Sequence, residues 1–154
     1  MLLNTRSILY LFDLDGTLLG EDHWYSYIKN TTALFKSPLY IDPSSKNIRW
    51  SILSGRPRID YLLIKLACNL NKLYPEKIIT QETLLYKSKN LQEVYNWKSR
   101  MIKYFMDSNE NIQKIYYIDA DLDCIKYLNQ NKDRYDYLGL TPINFLKEDF
   151  KFFQ

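Results

Sequence analysis

The run Ile8-Leu9-Tyr10-Leu11-Phe12-Asp13-Leu14-Asp15-Gly16-Thr17-Leu18 constrains the fold more than any other part of this chain. An almost unbroken apolar stretch reads as a strand buried on both faces. It ends in two aspartates one residue apart, and carboxylates aimed the same way repel unless a cation or proton lies between them. Gly16 permits a sharp backbone turn. One carboxylate of this pair can attack phosphorus and the other can move a proton. A strand followed by an Asx-rich turn is the plain alternative.

Downstream segments alternate strand and helix patterns. Strand-like runs cover 7–13, 48–53, 77–80, 112–118 and 135–140. The second of these ends at Ser54-Gly55-Arg56-Pro57, with Pro57 placed in the first turn of a following helix. In that helix Ile59, Leu62, Leu63, Leu66, Leu70 and Leu73 form an apolar stripe that predicts its buried face. Ser88 or Asn90 caps a long helix running to about Met106, and Asp121 caps another through Leu128. Residues 20–47 are polar and aromatic, broken at Ser37-Pro38 and Asp42-Pro43, with a short helix expected over 24–35. This order predicts an α/β fold: a three-layer α/β/α sandwich on a mainly parallel, Rossmann-like sheet. Ligands of such sheets bind outside the carboxyl ends of the strands. Asp13, Ser54 and Asp119 all fall at predicted carboxyl ends.

The 154 residues predict a single domain with a small insertion at about 20–47. No apolar run is long enough to span a bilayer, and the N-terminus lacks a secretory-signal pattern. Cys68 and Cys124 lie in helical apolar patterns without metal spacing, which predicts core thiols in a reducing cytoplasm. The net charge of +3 is weak evidence for a polyanionic partner.

Four further groups carry chemistry. Ser54, before a helix, either caps it or binds a phosphoryl oxygen with the neighbouring N–H groups; alone it reads first as a cap. Arg56 alone reads as a solvated or structural residue. Lys98 shares the apolar face of Leu91, Val94, Met101 or Ile102, and Phe105, so it either snorkels or meets an acid. Asp119-Ala120-Asp121-Leu122-Asp123 suits oxygen ligation of Mg2+ beside a phosphate. It is not a calcium loop, because Cys124 stands at the glycine position and Gln130 at the final glutamate position. His23 reads as a surface residue. Trp24, Tyr25 and Tyr27 either pack a helix on the sheet or stack on a base.

These segments together resemble the haloacid dehalogenase-like hydrolase superfamily. The resemblance is carried by Asp13-Leu14-Asp15-Gly16-Thr17, Ser54-Gly55-Arg56, Lys98, and Asp119 with Asp123, in that order. It runs from about Ile8 to Leu128; Ile118 departs from a common glycine and Ala120 from the variant with adjacent aspartates, which leaves Asp121 and Asp123 as alternatives. The resemblance implies a phosphatase. Asp13 would form an aspartyl-phosphate, and Asp15 would protonate the leaving oxygen and then activate water. Ser54, Gly55, Arg56 and Lys98 would face the substrate. Asp13, the carbonyl of Asp15, Asp119 and Asp123 would serve Mg2+. It also implies a minimal cap, since 20–47 leaves no room for a large one. An open site would admit a phosphorylated small molecule or a nucleic-acid end. The alternatives are a phosphotransferase, or a catalytically idle domain of this fold that binds nucleic acid or a protein.

Overall fold

The computed structural model describes residues 7–18, 48–70, 72–83 and 90–147. The expected insertion at 20–47, with His23, Trp24, Tyr25 and Tyr27, lies outside the described residues. The elements are β1 Ile8–Phe12, β2 Arg49–Pro57, α1 Tyr61–Leu70, β3 Ile78–Gln81, α2 Leu91–Ser108, β4 Lys114–Ile118, α3 Leu122–Gln130, β5 Tyr137–Leu140 and α4 Pro142–Lys147. The five strands form one sheet in the order β3-β2-β1-β4-β5, and every pairing is parallel. This is an α/β fold with a Rossmann-like sheet, as the alternation of patterns predicts.

Alternation along the strands divides the core in two. Tyr10, Phe12, Ile52 and Ile118 join one apolar cluster with Ile64, Ala67 and Cys68 of α1 and Phe145 of α4. Leu9, Leu11, Leu53, Ile115 and Tyr117 join another with Tyr95, Ile102 and Phe105 of α2 and Cys124, Ile125 and Leu128 of α3. β1 and β4 pair in register, Phe12 opposite Ile118, so Asp13 and Asp119 leave the sheet side by side. The chain first builds outward through β2 and β3, then returns to the other side of β1. The switch point therefore lies between β1 and β4, where a parallel sheet opens a crevice for ligands.

Three local expectations are corrected. β2 does not stop at Leu53 but runs on to Pro57, with a register shift against β3 between Leu53 and Pro57. Gln81 donates to the Gly55 carbonyl, and the Arg58 N–H donates to Thr83, so long-range bonds hold residues that locally favour a turn. The helix consequently starts at Tyr61, after a 3-10 turn over Arg58–Asp60, and Pro57 ends the strand instead of opening the helix. α4 is an element beyond the predicted ones. Its signal is Thr141-Pro142, a hydroxyl that accepts from the Asn144 N–H followed by proline at the first helical position.

The third correction concerns α1. Ile59, Leu62, Leu63, Leu66 and Leu70 are exposed, Leu62 by 73%, and of the predicted stripe only Leu73 is buried. The helix turns Ile64, Ala67 and Cys68 inward instead. Apolar residues on two sides satisfy helical periodicity without selecting a face, and the small Ala67 and Cys68 let the helix lie close to Phe12, Trp50 and Ile52. Ile64→Ala is expected to cost about 2–4 kcal/mol. Leu62→Ala is expected to stay within about 0.5 kcal/mol. Urea unfolding of the two variants checks the assignment, and a costlier Leu62 change would reverse it.

Both cysteines are buried and unbridged, and burial pushes the Cys68 thiol up to about 12. Among the described residues no helix is long and apolar enough to cross a membrane.

Candidate active site

β1 delivers Asp13 to the sheet edge with its side chain buried, and its N–H donates to the Ile118 carbonyl at 2.9 Å. The chain then turns through Gly16, whose φ of +77° is a left-handed conformation that glycine adopts without strain. Thr17 ties this turn to the neighbouring loop: its Oγ1 accepts from the Ala120 N–H at 3.1 Å. The turn after β1 and the loop after β4 are thus joined by a hydrogen bond at the head of two adjacent strands.

Asp119 follows the last residue of β4 and is 1% exposed. Its Oδ1 accepts from the Asp121 N–H at 2.8 Å, and its Oδ2 accepts from the Tyr117 hydroxyl at 2.7 Å. Lys98 reaches in from α2 and donates to Asp119 Oδ2 at 2.9 Å and to Asp13 Oδ1 at 3.2 Å. Its ammonium lies 5.4 Å from the centre of the Tyr117 ring. Lys98 is 5% exposed, so it meets acids in the interior and does not snorkel. The helix forms around it for ordinary reasons: Asn90 caps the N-terminus by accepting from the Gln92 N–H, and Tyr95, Ile102 and Phe105 fill the same face.

The charges do not balance. Two buried carboxyls share one ammonium, so ionising both would leave one net negative charge in a poorly solvated place. Burial, then the Asp119 carboxylate, hold the Asp13 carboxyl well above its ordinary range, and Lys98 only partly offsets them. Burial also acts to raise Asp119, but Lys98, the Asp121 N–H and the Tyr117 hydroxyl outweigh it and keep Asp119 lower. Burial acts to lower Lys98, and the two carboxylates overcome it and raise it. Tyr117 is raised by burial first and then by the nearby acids, so it stays a hydroxyl donor.

Asp15 stands apart, half-exposed, and is gripped by Arg56. The guanidinium donates through Nε to Oδ2 at 2.8 Å and through Nη2 to Oδ1 at 2.6 Å. Its Nη1 donates to the buried Asp60 at 3.2 Å. Arg56 is therefore buried and paired with two acids, and not solvated. Ser54 is fully buried, and its hydroxyl accepts from the Arg56 N–H at 3.1 Å. That bond sits in a strand extension, so the expected helix N-terminus at Ser54 is absent from this place. Asp121 is the cap of α3, accepting from Asp123 and Cys124, and it takes a 2.7 Å bond from the Tyr95 hydroxyl. Asp123 is exposed in the first turn of that helix.

Asp13, Asp15, Gly55, Arg56 and Lys98 line a cavity of about 1090 Å³. Ser54 and Asp119, both buried, are not among its lining residues. The cavity continues along α2 past Asn96, Trp97, Arg100 and Tyr104 to Tyr127. Tyr117 and Asp60 are the site residues not anticipated above. Each has a signal: Tyr117 precedes Asp119 by two and shares its side of the strand, and Asp60 follows Arg56 by four.

Among the described residues no three acidic, histidine or cysteine side chains are grouped to hold a metal. Mg2+ needs only one or two carboxylates beside water and substrate oxygens. Asp13 and Asp119 could supply those carboxylates, and together they are one acid more than Lys98 neutralises. No family model, curated protein or solved structure matches the chain.

Proposed function

We propose that this chain is a Mg2+-dependent phosphatase acting on phosphomonoesters through Asp13. The observation that carries the reading is the buried Lys98 ammonium bridging Asp13 and Asp119 at the switch point of the sheet, with Asp15 on the turn that follows. Phosphoryl transfer asks a protein mainly for positioning and charge neutralisation. Asp13 and Asp119 would hold the metal, which when bound offsets the negative charge that otherwise repels a phosphate dianion.

The chain's own groups then divide the work. An Asp13 carboxylate oxygen attacks phosphorus, and the bond from phosphorus to the leaving oxygen breaks. Asp15 gives that oxygen its proton. Water then attacks the phosphorylated Asp13, passing a proton to Asp15. The bond from phosphorus to the Asp13 oxygen breaks, which frees phosphate and restores the carboxylate. Lys98 keeps Asp13 in place throughout and offsets part of the charge. Trp97, Arg100, Tyr104 and Tyr127 line the cavity as well, and aromatic and cationic side chains there would suit a nucleotide or a polynucleotide end.

The test is hydrolysis of a panel of phosphorylated metabolites, nucleotides, and 3′- or 5′-phosphorylated oligonucleotides, with Mg2+ and with chelator. Phosphate release only with Mg2+ supports the reading, and no release from any substrate overturns it. Asp15→Asn is expected to slow esters with poor leaving groups about 100-fold or more, and activated aryl phosphates much less, because only the former need a proton. Equal losses on phenyl and p-nitrophenyl phosphate, measured as kcat/KM, would remove Asp15 from the acid role.

A further inference from the structure

Arg56 does more than fill space beside Asp15. Both carboxylate oxygens of Asp15 are taken by two guanidinium nitrogens, at 2.8 and 2.6 Å. Held this way, the carboxylate is fixed by two charge-assisted bonds, which hold it back from swinging to a leaving group or to water. The fork is anchored from behind by Asp60, buried and four residues on, so Arg56 keeps its place at the cavity wall whether or not Asp15 remains on it. Asp15 is the partner with room to move: its side chain is 49% exposed, against 7% for Arg56.

A guanidinium fork fits a phosphate as well as it fits a carboxylate. The cavity lined by Asp13 and Lys98 is also lined by Arg56 and Asp15, so a second phosphate of a substrate held at Asp13 shares one space with the fork. We propose that Arg56 is a latch on Asp15, opened when a second phosphate of the substrate takes its place on the guanidinium. Arg56 is then a positioning residue that determines specificity. The favoured substrates are phosphomonoesters that carry a second phosphate group near the scissile one, either a free monoester or a phosphodiester linkage. This rests on the phosphatase reading above and adds to it a substrate requirement.

The latch differs from simple attraction in what it changes. A second phosphate that only binds lowers KM, whereas one that frees Asp15 raises kcat. The experiment compares a nucleoside 3′-phosphate, the nucleoside 3′,5′-bisphosphate and a dinucleotide 3′-phosphate, with phenyl phosphate as an ester lacking any second anion. For the native protein kcat should rise on the order of tenfold with the second phosphate. The bisphosphate and dinucleotide arms separate a free phosphate from a phosphodiester as the opener. In Arg56→Gln that kcat advantage should vanish, and kcat on phenyl phosphate should rise about fivefold, the scale of one partly exposed ion pair. Arg56→Lys, which keeps charge without the fork, should move in the same direction. It serves as the second variant if Arg56→Gln does not fold by circular dichroism.

A native kcat indifferent to the second phosphate would overturn the latch while leaving the phosphatase intact. So would Arg56 variants slowed equally on every ester. If the native protein hydrolyses none of the four esters with Mg2+, the phosphatase reading and the latch fall together.

Discussion

Asp13→Asn is expected to give a folded protein that hydrolyses no phosphomonoester and melts higher than the native chain when divalent cations are absent. The loss in kcat should be about 10⁴-fold or more, the scale of removing a nucleophile. The gain in stability follows from the charge count. Lys98 faces two buried carboxylates, and replacing Asp13 with its neutral isostere leaves a balanced Lys98–Asp119 pair. Relief on the order of 1 kcal/mol is reasonable for a site held strained by function. For 154 residues that is roughly 3 °C in Tm.

The pH dependence gives this prediction a sign. The Asp13 carboxyl is held well above its ordinary range by burial and by Asp119. Below the ordinary carboxylate range both folded and unfolded chains carry this proton, and the native protein loses nothing. As pH rises, the unfolded chain releases the proton first. Stability then falls until the folded carboxyl also ionises. The Asp13→Asn variant has no such fall, so the gap between the two Tm values should open with rising pH. Mg2+ should close it again by stabilising only the native protein. Calorimetry from pH 4 to 8, with and without Mg2+, measures the gap. A variant that melts lower than the native chain throughout would refute the charge argument, and a variant with native turnover would remove Asp13 as nucleophile.

Much of this arrangement is legible in the sequence because burial is written in periodicity. The apolar runs before Asp13 and Asp119 fix both as strand ends, and a parallel sheet places strand ends along one edge. Lys98 is legible for the opposite reason: a charge within an apolar helical stripe needs a partner inside. The features that escape local reading depend on distant contacts. Gly55, Arg56 and Pro57 favour a turn by themselves, and only Gln81 and Thr83 make them a strand. The Arg56–Asp15 pair spans 41 residues, and neither segment announces the other. The face of α1 escapes because apolar residues occur on both sides, with Ile64 and the small Ala67 and Cys68 turned inward and all four leucines outward. Asp121 is legible as the cap of the α3 N-terminus and does cap it, while the bond it takes from the Tyr95 hydroxyl is a distant contact that the local sequence does not show.

Lys98→Met should be the most destabilising single change at the site. It keeps the apolar stem and removes the ammonium from between two buried carboxylates. Breaking a buried ion pair by deleting one partner costs about 3–5 kcal/mol, a large part of the roughly 5–15 kcal/mol that holds a domain folded. Activity should fall with it, since Asp13 loses its positioning donor. The variant should also reverse one pH trend. In the native chain Lys98 and two further donors keep Asp119 below its ordinary range. Its contribution is therefore present above about pH 4 and lost as pH falls through the lowered value. Without Lys98, burial dominates and raises Asp119 alongside Asp13. Both contributions are then present below the ordinary range and lost as pH rises. Lys98→Met should be closest to native stability in acid and fall away towards neutrality. Adding Asp13→Asn should recover part of the loss by removing one of the two stranded charges. Urea midpoints at pH 4, 6 and 8 for the native, single and double variants complete the cycle. A loss below about 1 kcal/mol that does not vary with pH, and no recovery in the double variant, would mean that the ammonium is not held between the two acids in solution.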